Sequence, residues 1–126
     1  MDMLWQLEPK STPIHKGPSF TQELGRLCVL SFVVEREDTY PTVRLLFDGV
    51  EAYKCTHLTS LKRDMLVAYE RVVRLYETPW LLDMSSNYKP QRGNHVKEDL
   101  MHLMICFDDG PCYEFICTKF SSSEGS

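Results

Sequence analysis

The sequence predicts an α+β fold: a five-stranded, mainly antiparallel sheet in the order β-β-β-α-β-β, with one amphipathic helix packed on one face. Three observations predict it. Short runs rich in β-branched and aromatic residues recur along the chain. Asp-Gly pairs at 48–49 and 109–110 each sit between two such runs, the strongest short-range hairpin signal. One stretch only, Leu61–Tyr76, takes a helical hydrophobic period.

The chain has 126 residues, 43% of them hydrophobic and 25% charged. That is one domain's worth, long enough to bury a sizeable core without staples. The domain is expected to span 1–126. Met1–Phe20 is expected to be an irregular arm, because Pro9, Pro13 and Pro18 each remove a backbone donor. Met3, Leu4, Trp5 and Leu7 are too apolar for a free tail, so this arm should lie against the body. Residues 121–126 (SSSEGS) read as a frayed tail.

Gly25–Glu37 reads as a mostly buried strand, followed by a turn at Asp38–Pro41 and a second strand over Thr42–Phe47. Asp48-Gly49 should then turn directly into a third strand, Val50–Leu58, in which Glu51, Tyr53, Cys55 and His57 share one face. In Leu61–Tyr76, residues Leu61, Met65, Ala68, Tyr69, Val72, Val73 and Tyr76 fall on one helical stripe, with charged residues opposite. Thr59 or Ser60 can cap its start, and Pro79 should stop it. Trp80–Val96 reads as a polar connection whose centre, Ser85–His95, is loop-like. Leu100–Phe107 and Cys112–Phe120 complete the sheet. A two-residue turn at Asp109-Gly110 would set Cys106 opposite Tyr113 and His102 opposite Cys117.

Charge narrows the function. Lys and Arg total 14 against 18 Asp and Glu, a formal charge of −4. Nucleic-acid affinity rests on Lys and Arg contacts to phosphate, so a nucleic-acid partner is not expected, nor an anionic membrane surface. No apolar run approaches the roughly 20 residues of a membrane helix. The segment after Val96 holds two positive residues (Lys97, Lys119) against six negative ones (Glu98, Asp99, Asp108, Asp109, Glu114, Glu124). An acidic hairpin tip there would suit a basic partner. The five cysteines are an odd number and no basic-then-apolar leader precedes them, so the expected setting is the cytoplasm, with reduced thiols.

Chemistry-bearing constellations are sparse. Cys55 and His57 lie about 6.6 Å apart on one strand face. His102 and Cys117 could join them only if the third strand lay beside the last hairpin. No standard zinc spacing supports this, so no metal site is assigned. A Cys106–Cys112 disulfide is not expected, because in the assigned register Cys112 opposes Phe107 and the sulfurs leave opposite faces. The scattered glycines build no phosphate-binding loop, and no nucleophile is marked by a neighbouring base, so neither cofactor nor enzymatic activity is expected. Trp80 should seat the helix end on the sheet or, alternatively, anchor a partner.

Two segments carry a resemblance: AYERVVRLYETPWL at 68–81 and HLMICFDDGPCYEFICTKF at 102–120, together about a quarter of the chain. They resemble small uncharacterised bacterial proteins in which such a helix precedes a closing hairpin, some of them similar to immunity proteins encoded beside toxins. The resemblance implies an α+β fold and a binding role, with no catalytic residues to carry over. The expected function is therefore a non-enzymatic interaction module, an immunity-type inhibitor that occludes a basic protein partner such as a toxin. Asp108, Asp109, Tyr113, Glu114 and Trp80 would form its contact. The alternatives are a ligand-binding or catalytic cleft containing Cys55, His57 and His102, and self-association through an exposed sheet edge.

Overall fold

The computed structural model describes residues 1–57, 63–88, 99–108 and 111–125. Along the chain run β1 (Asp2–Gln6), β2 (Ile14–Glu23), β3 (Leu27–Val34), β4 (Thr42–Asp48), β5 (Ala52–Thr56), a 3₁₀ segment (Arg63–Ala68), β6 (Arg71–Leu75), α1 (Pro79–Asn87), β7 (Met101–Cys106), β8 (Cys112–Cys117) and β9 (Lys119–Gly125). The fold is α+β, mostly antiparallel sheet with one α-helix among the described residues. The expected single five-stranded sheet is replaced by two, of order β1-β6-β7-β8-β5 and β2-β3-β4-β9. No helix among the described residues is long and apolar enough to cross a membrane.

The core lies between the sheets. Cys28, Leu30, Phe32 and Val34 of β3 and Val43, Leu45 and Phe47 of β4 meet Val72 of β6, Leu103 and Ile105 of β7, and Phe115 and Cys117 of β8. Each set alternates along its strand, as period-two geometry requires of a half-buried face. At the centre the rings of Phe47 and Phe115 stack with centroids 3.9 Å apart.

The Asp48-Gly49 pair does not make a hairpin. It carries the chain from one sheet to the other. Thr118, between β8 and β9, makes the reverse crossing at the same point, its N–H donating to the Asp48 carbonyl at 3.1 Å. So β4–β5 and β9–β8 form one antiparallel ribbon, paired from Thr42↔Gly125 through Asp48↔Lys119 to Ala52↔Ile116 and bent across the core. Gly49 has φ +63°, and a Cβ there would run into the Thr118 side chain, so both backbone and space favour glycine. The β3–β4 hairpin turns instead on Glu37 and Asp38, whose φ values of 46° and 63° are those of a primed turn.

Three further expectations are corrected. Much of the N-terminal arm is strand: β1 pairs with β6 and β2 with β3, while Leu7 is buried and Trp5 packs edge-on against Phe32. The tail is also strand, because β9 needs only backbone groups to pair with β4, and its serines are exposed. The helix expected at Leu61–Tyr76 is a 3₁₀ segment followed by strand β6; Leu61 and the cap candidates Thr59 and Ser60 lie outside the described residues. Val72 and Val73 match a helical stripe, but they also match a strand buried on both faces. Val72 enters the core between the sheets, and Val73 joins Met65, Ala68, Met104, Cys106 and Cys112 on the outer face. Left-handed residues Glu70 and Glu77, at φ 50° and 56°, bracket the strand.

The α-helix lies in the expected polar connection. Pro79 begins it rather than ending a previous one: Thr78 is the N-cap, and its hydroxyl accepts the Leu81 N–H at 3.2 Å.

Candidate functional site

The last hairpin has two unlike faces. Alternation sends Leu103, Ile105, Phe115 and Cys117 inward and His102, Met104, Cys106, Cys112 and Glu114 outward. Cys106 pairs with Cys112, and His102 with Ile116 rather than Cys117. This register is one residue from the expected one. It puts both sulfurs on one face, and Cys106–Cys112 is a disulfide, contrary to expectation. Asp109-Gly110, the expected turn, lies outside the described residues.

On the outer face His102, 4% exposed, is held at both nitrogens. Its Nδ1 lies 2.8 Å from the Thr78 hydroxyl and its Nε2 2.9 Å from Glu114 Oε1. A proton on Nε2 satisfies the network: the imidazole donates to the carboxylate, the Thr78 hydroxyl donates to Nδ1, and the same hydroxyl accepts the Leu81 N–H. Trp80 stands edge-on to His102 at 5.1 Å, and Lys54 Nζ sits 4.0 Å over the Trp80 ring. Lys54 also pairs directly with Glu114 across β5 and β8. The cluster seats the N-terminus of α1, a helix with no buried residue of its own, on the sheet. Contrary to expectation, Trp80 does not seat the end of a helix over Leu61–Tyr76; that stretch is a 3₁₀ segment and strand, and Trp80 instead stands in the first turn of α1.

Where β1 leads toward β2, a groove of about 420 Å³ is lined by Lys10, Ser11, Thr12, Pro13, Tyr69, Glu70, Phe107 and Asp108, among others. It adjoins a smaller recess of about 260 Å³ that shares Lys10, Tyr69 and Glu70 and adds Arg71. Glu70 is fixed by its backbone: its N–H donates to the Cys106 carbonyl at 2.7 Å, and its carbonyl accepts the Leu7 N–H at 3.3 Å. Burial raises the pKa of its carboxyl, and the nearby charge of Asp108 raises it further.

The residues singled out in the sequence are dispersed. Asp108 is exposed and lines the groove. Tyr113 is 8% exposed and sits in the core, its phenol pKa raised by burial and then by Cys55. Glu114 is turned to the opposite face and engaged by His102. Tyr113 and Glu114 are consecutive on one strand, so they cannot serve one surface. Cys55 and His57 are exposed on or just beyond edge strand β5. Cys55 pairs with Tyr113, whereas His102 is buried on the outer face and Cys117 is buried between the sheets. These four do not converge. No group of three or more His, Cys, Asp or Glu suited to a metal occurs among the described residues.

The sequence reading missed Thr78 and Glu70. Thr78-Pro79 is a helix-start signal, and His102 and Glu114 are brought together by a hairpin; these two clues mark the relay. Nothing local marks Glu70, whose setting depends on β1 and β7. No protein-family model matches the chain, and no curated protein or solved structure matches it significantly.

Proposed function

We propose that the protein is a non-enzymatic interaction module, an inhibitor of the immunity type that acts by covering a basic surface of another protein. The observation that carries this reading is the pairing of Glu70 and Asp108 in one open groove, where Asp108 raises the Glu70 pKa. Two carboxylates that repel each other gain from a cation placed between them. An arginine or lysine side chain of a partner would favour the charged form of Glu70 and bring its raised pKa back down. The negative balance after Val96 adds long-range attraction. The likeness of residues 68–81 and 102–120 to bacterial proteins related to immunity proteins supports the same reading. Of the contact set expected from the sequence, Asp108 is kept and joined by Glu70, while Asp109 lies outside the described residues.

The Thr78–His102–Glu114 relay does not favour an enzyme. Its hydroxyl is committed to capping α1 and its imidazole is held at both nitrogens. The alternative cleft loses its basis because Cys55 and His57 stand apart from His102.

The test is titration of an arginine-rich peptide into the protein, followed by amide chemical shifts. Shifts confined to the neighbourhood of Glu70 and Asp108, weakening steeply with salt and abolished in E70Q/D108N, are expected. A salt-independent response, or one unchanged in the double variant, rejects the electrostatic mechanism.

A further inference from the structure

Among the described residues the two open sheets have four edges, each an array of backbone groups that must be guarded or used. Three are guarded. β2 carries Lys16 and Pro18, and its register shifts twice along its length. β9 is polar, with Lys119 at one end and three consecutive serines before Glu124. β5 is five residues long and has exposed Lys54 at its centre. β1 differs. Met3 and Leu4 are 52% and 41% exposed, Met1 beside them 62%, and Tyr76 near the adjoining end of β6 47%. The one charge in the strand, Asp2, accepts a hydrogen bond from the Tyr76 hydroxyl. Among the described residues its guards are the irregularity between Met3 and Trp5 and a length of five residues, and no lysine or proline stands in it.

We propose that the β1 edge is a docking surface for a second copy of this chain, joined antiparallel so that two five-stranded sheets become one. The choice of occupant rests on the strand itself. Antiparallel pairing centred on Leu4 sets Leu4 against Leu4, Met3 against Trp5 and Asp2 against Gln6. Apolar residues meet at the middle, and no like charges oppose each other. The same symmetric pairing of β5, centred on Lys54, would oppose two ammonium groups. The interface is isologous and closes at two copies. It includes Gln6, which lines the recess beside the Glu70–Asp108 groove, but no residue lining the groove itself, so it rests on observations separate from the function proposed above.

Sedimentation velocity over a range of concentrations tests it, on the wild type and on the variants Leu4→Lys, Met3→Lys and Tyr53→Lys, each altered at an exposed position and checked for an unchanged thermal transition. The expected result is a concentration-dependent dimer that weakens at least about tenfold in L4K and M3K and persists in Y53K. A wild type that stays monomeric throughout, a dimer indifferent to L4K and M3K, or one lost in Y53K overturns the proposal. Binding of an unrelated extended peptide to a monomeric wild type would count against it in the same way.

Discussion

The two faces of the β7–β8 hairpin are built from the same twelve residues and do different work. The inner face is a continuous apolar layer, closed by the Phe47–Phe115 stack. The outer face holds a disulfide under the 3₁₀ segment and a polar relay under α1. The inner layer derives its stability from buried area and dispersion, which are non-directional. The outer cluster depends on directional bonds, each of which fails separately. The comparison teaches that this hairpin divides its labour by alternation: one parity of residues stabilises the sandwich, and the other positions the short elements that frame the exposed surface.

The comparison can be tested from its strongest point downward. Phe115→Ala should cost about 3–5 kcal/mol, measured by urea unfolding, because it empties the centre of the inner layer. A loss under about 1 kcal/mol would mean that the sheets are not packed through this ring. Replacing both Cys106 and Cys112 by alanine should cost about 2 kcal/mol, the value for closing so short a loop, and should lower amide-exchange protection in the 3₁₀ segment that covers them. Thr78→Val should cost about 1–2 kcal/mol by removing the cap acceptor and a partner of buried His102. Thr78→Ser should retain most of the stability, and helix α1 should fray in T78V while the inner layer stays protected.

At neutral pH the smallest effects are those of the titrating groups. Burial pushes the Cys117 thiol up to about 12, with the charges of Cys28 and Asp48 adding to it. The folded state therefore holds this proton when the unfolded chain has lost it, and stability should fall as pH rises above the ordinary thiol value toward 12. Cys117→Ala should flatten that slope. Glu70 behaves likewise at lower pH. Its folded pKa is raised, so its stabilising contribution is complete below the unfolded carboxylate value and is lost as pH rises through the folded one. Glu70→Gln should remove this dependence and raise stability at neutral pH by less than about 1 kcal/mol, since solvent screens the group.

The strands at Leu27–Val34, Thr42–Asp48, Met101–Cys106 and Cys112–Cys117 were legible because each concentrates β-branched, aromatic or other apolar residues. β6 was not, because a Val-Val doublet satisfies a helix stripe and a doubly buried strand equally well. β9 was not, because a serine run signals fraying unless a neighbour offers its backbone. Pro79 was read at the wrong end of a helix, since proline is compatible with both the residue after a stop and the first turn of a start. Of the candidate site, the seat of Trp80 and the groove position of Asp108 relate to residues named from sequence. Glu70 and Thr78 needed their neighbours.

By itself the sequence determined the local matters: which segments are apolar enough to be strands, and the acidic balance. These follow from side-chain volume, charge and backbone sterics, which act within a few residues. Only the tertiary structure decided that the chain forms two sheets, that Cys106 meets Cys112, and that Glu70 faces Asp108. Those outcomes depend on register and on the bend of the β4–β5 and β9–β8 ribbon. A one-residue slip moves every side chain of a strand to the other face while leaving its composition unchanged.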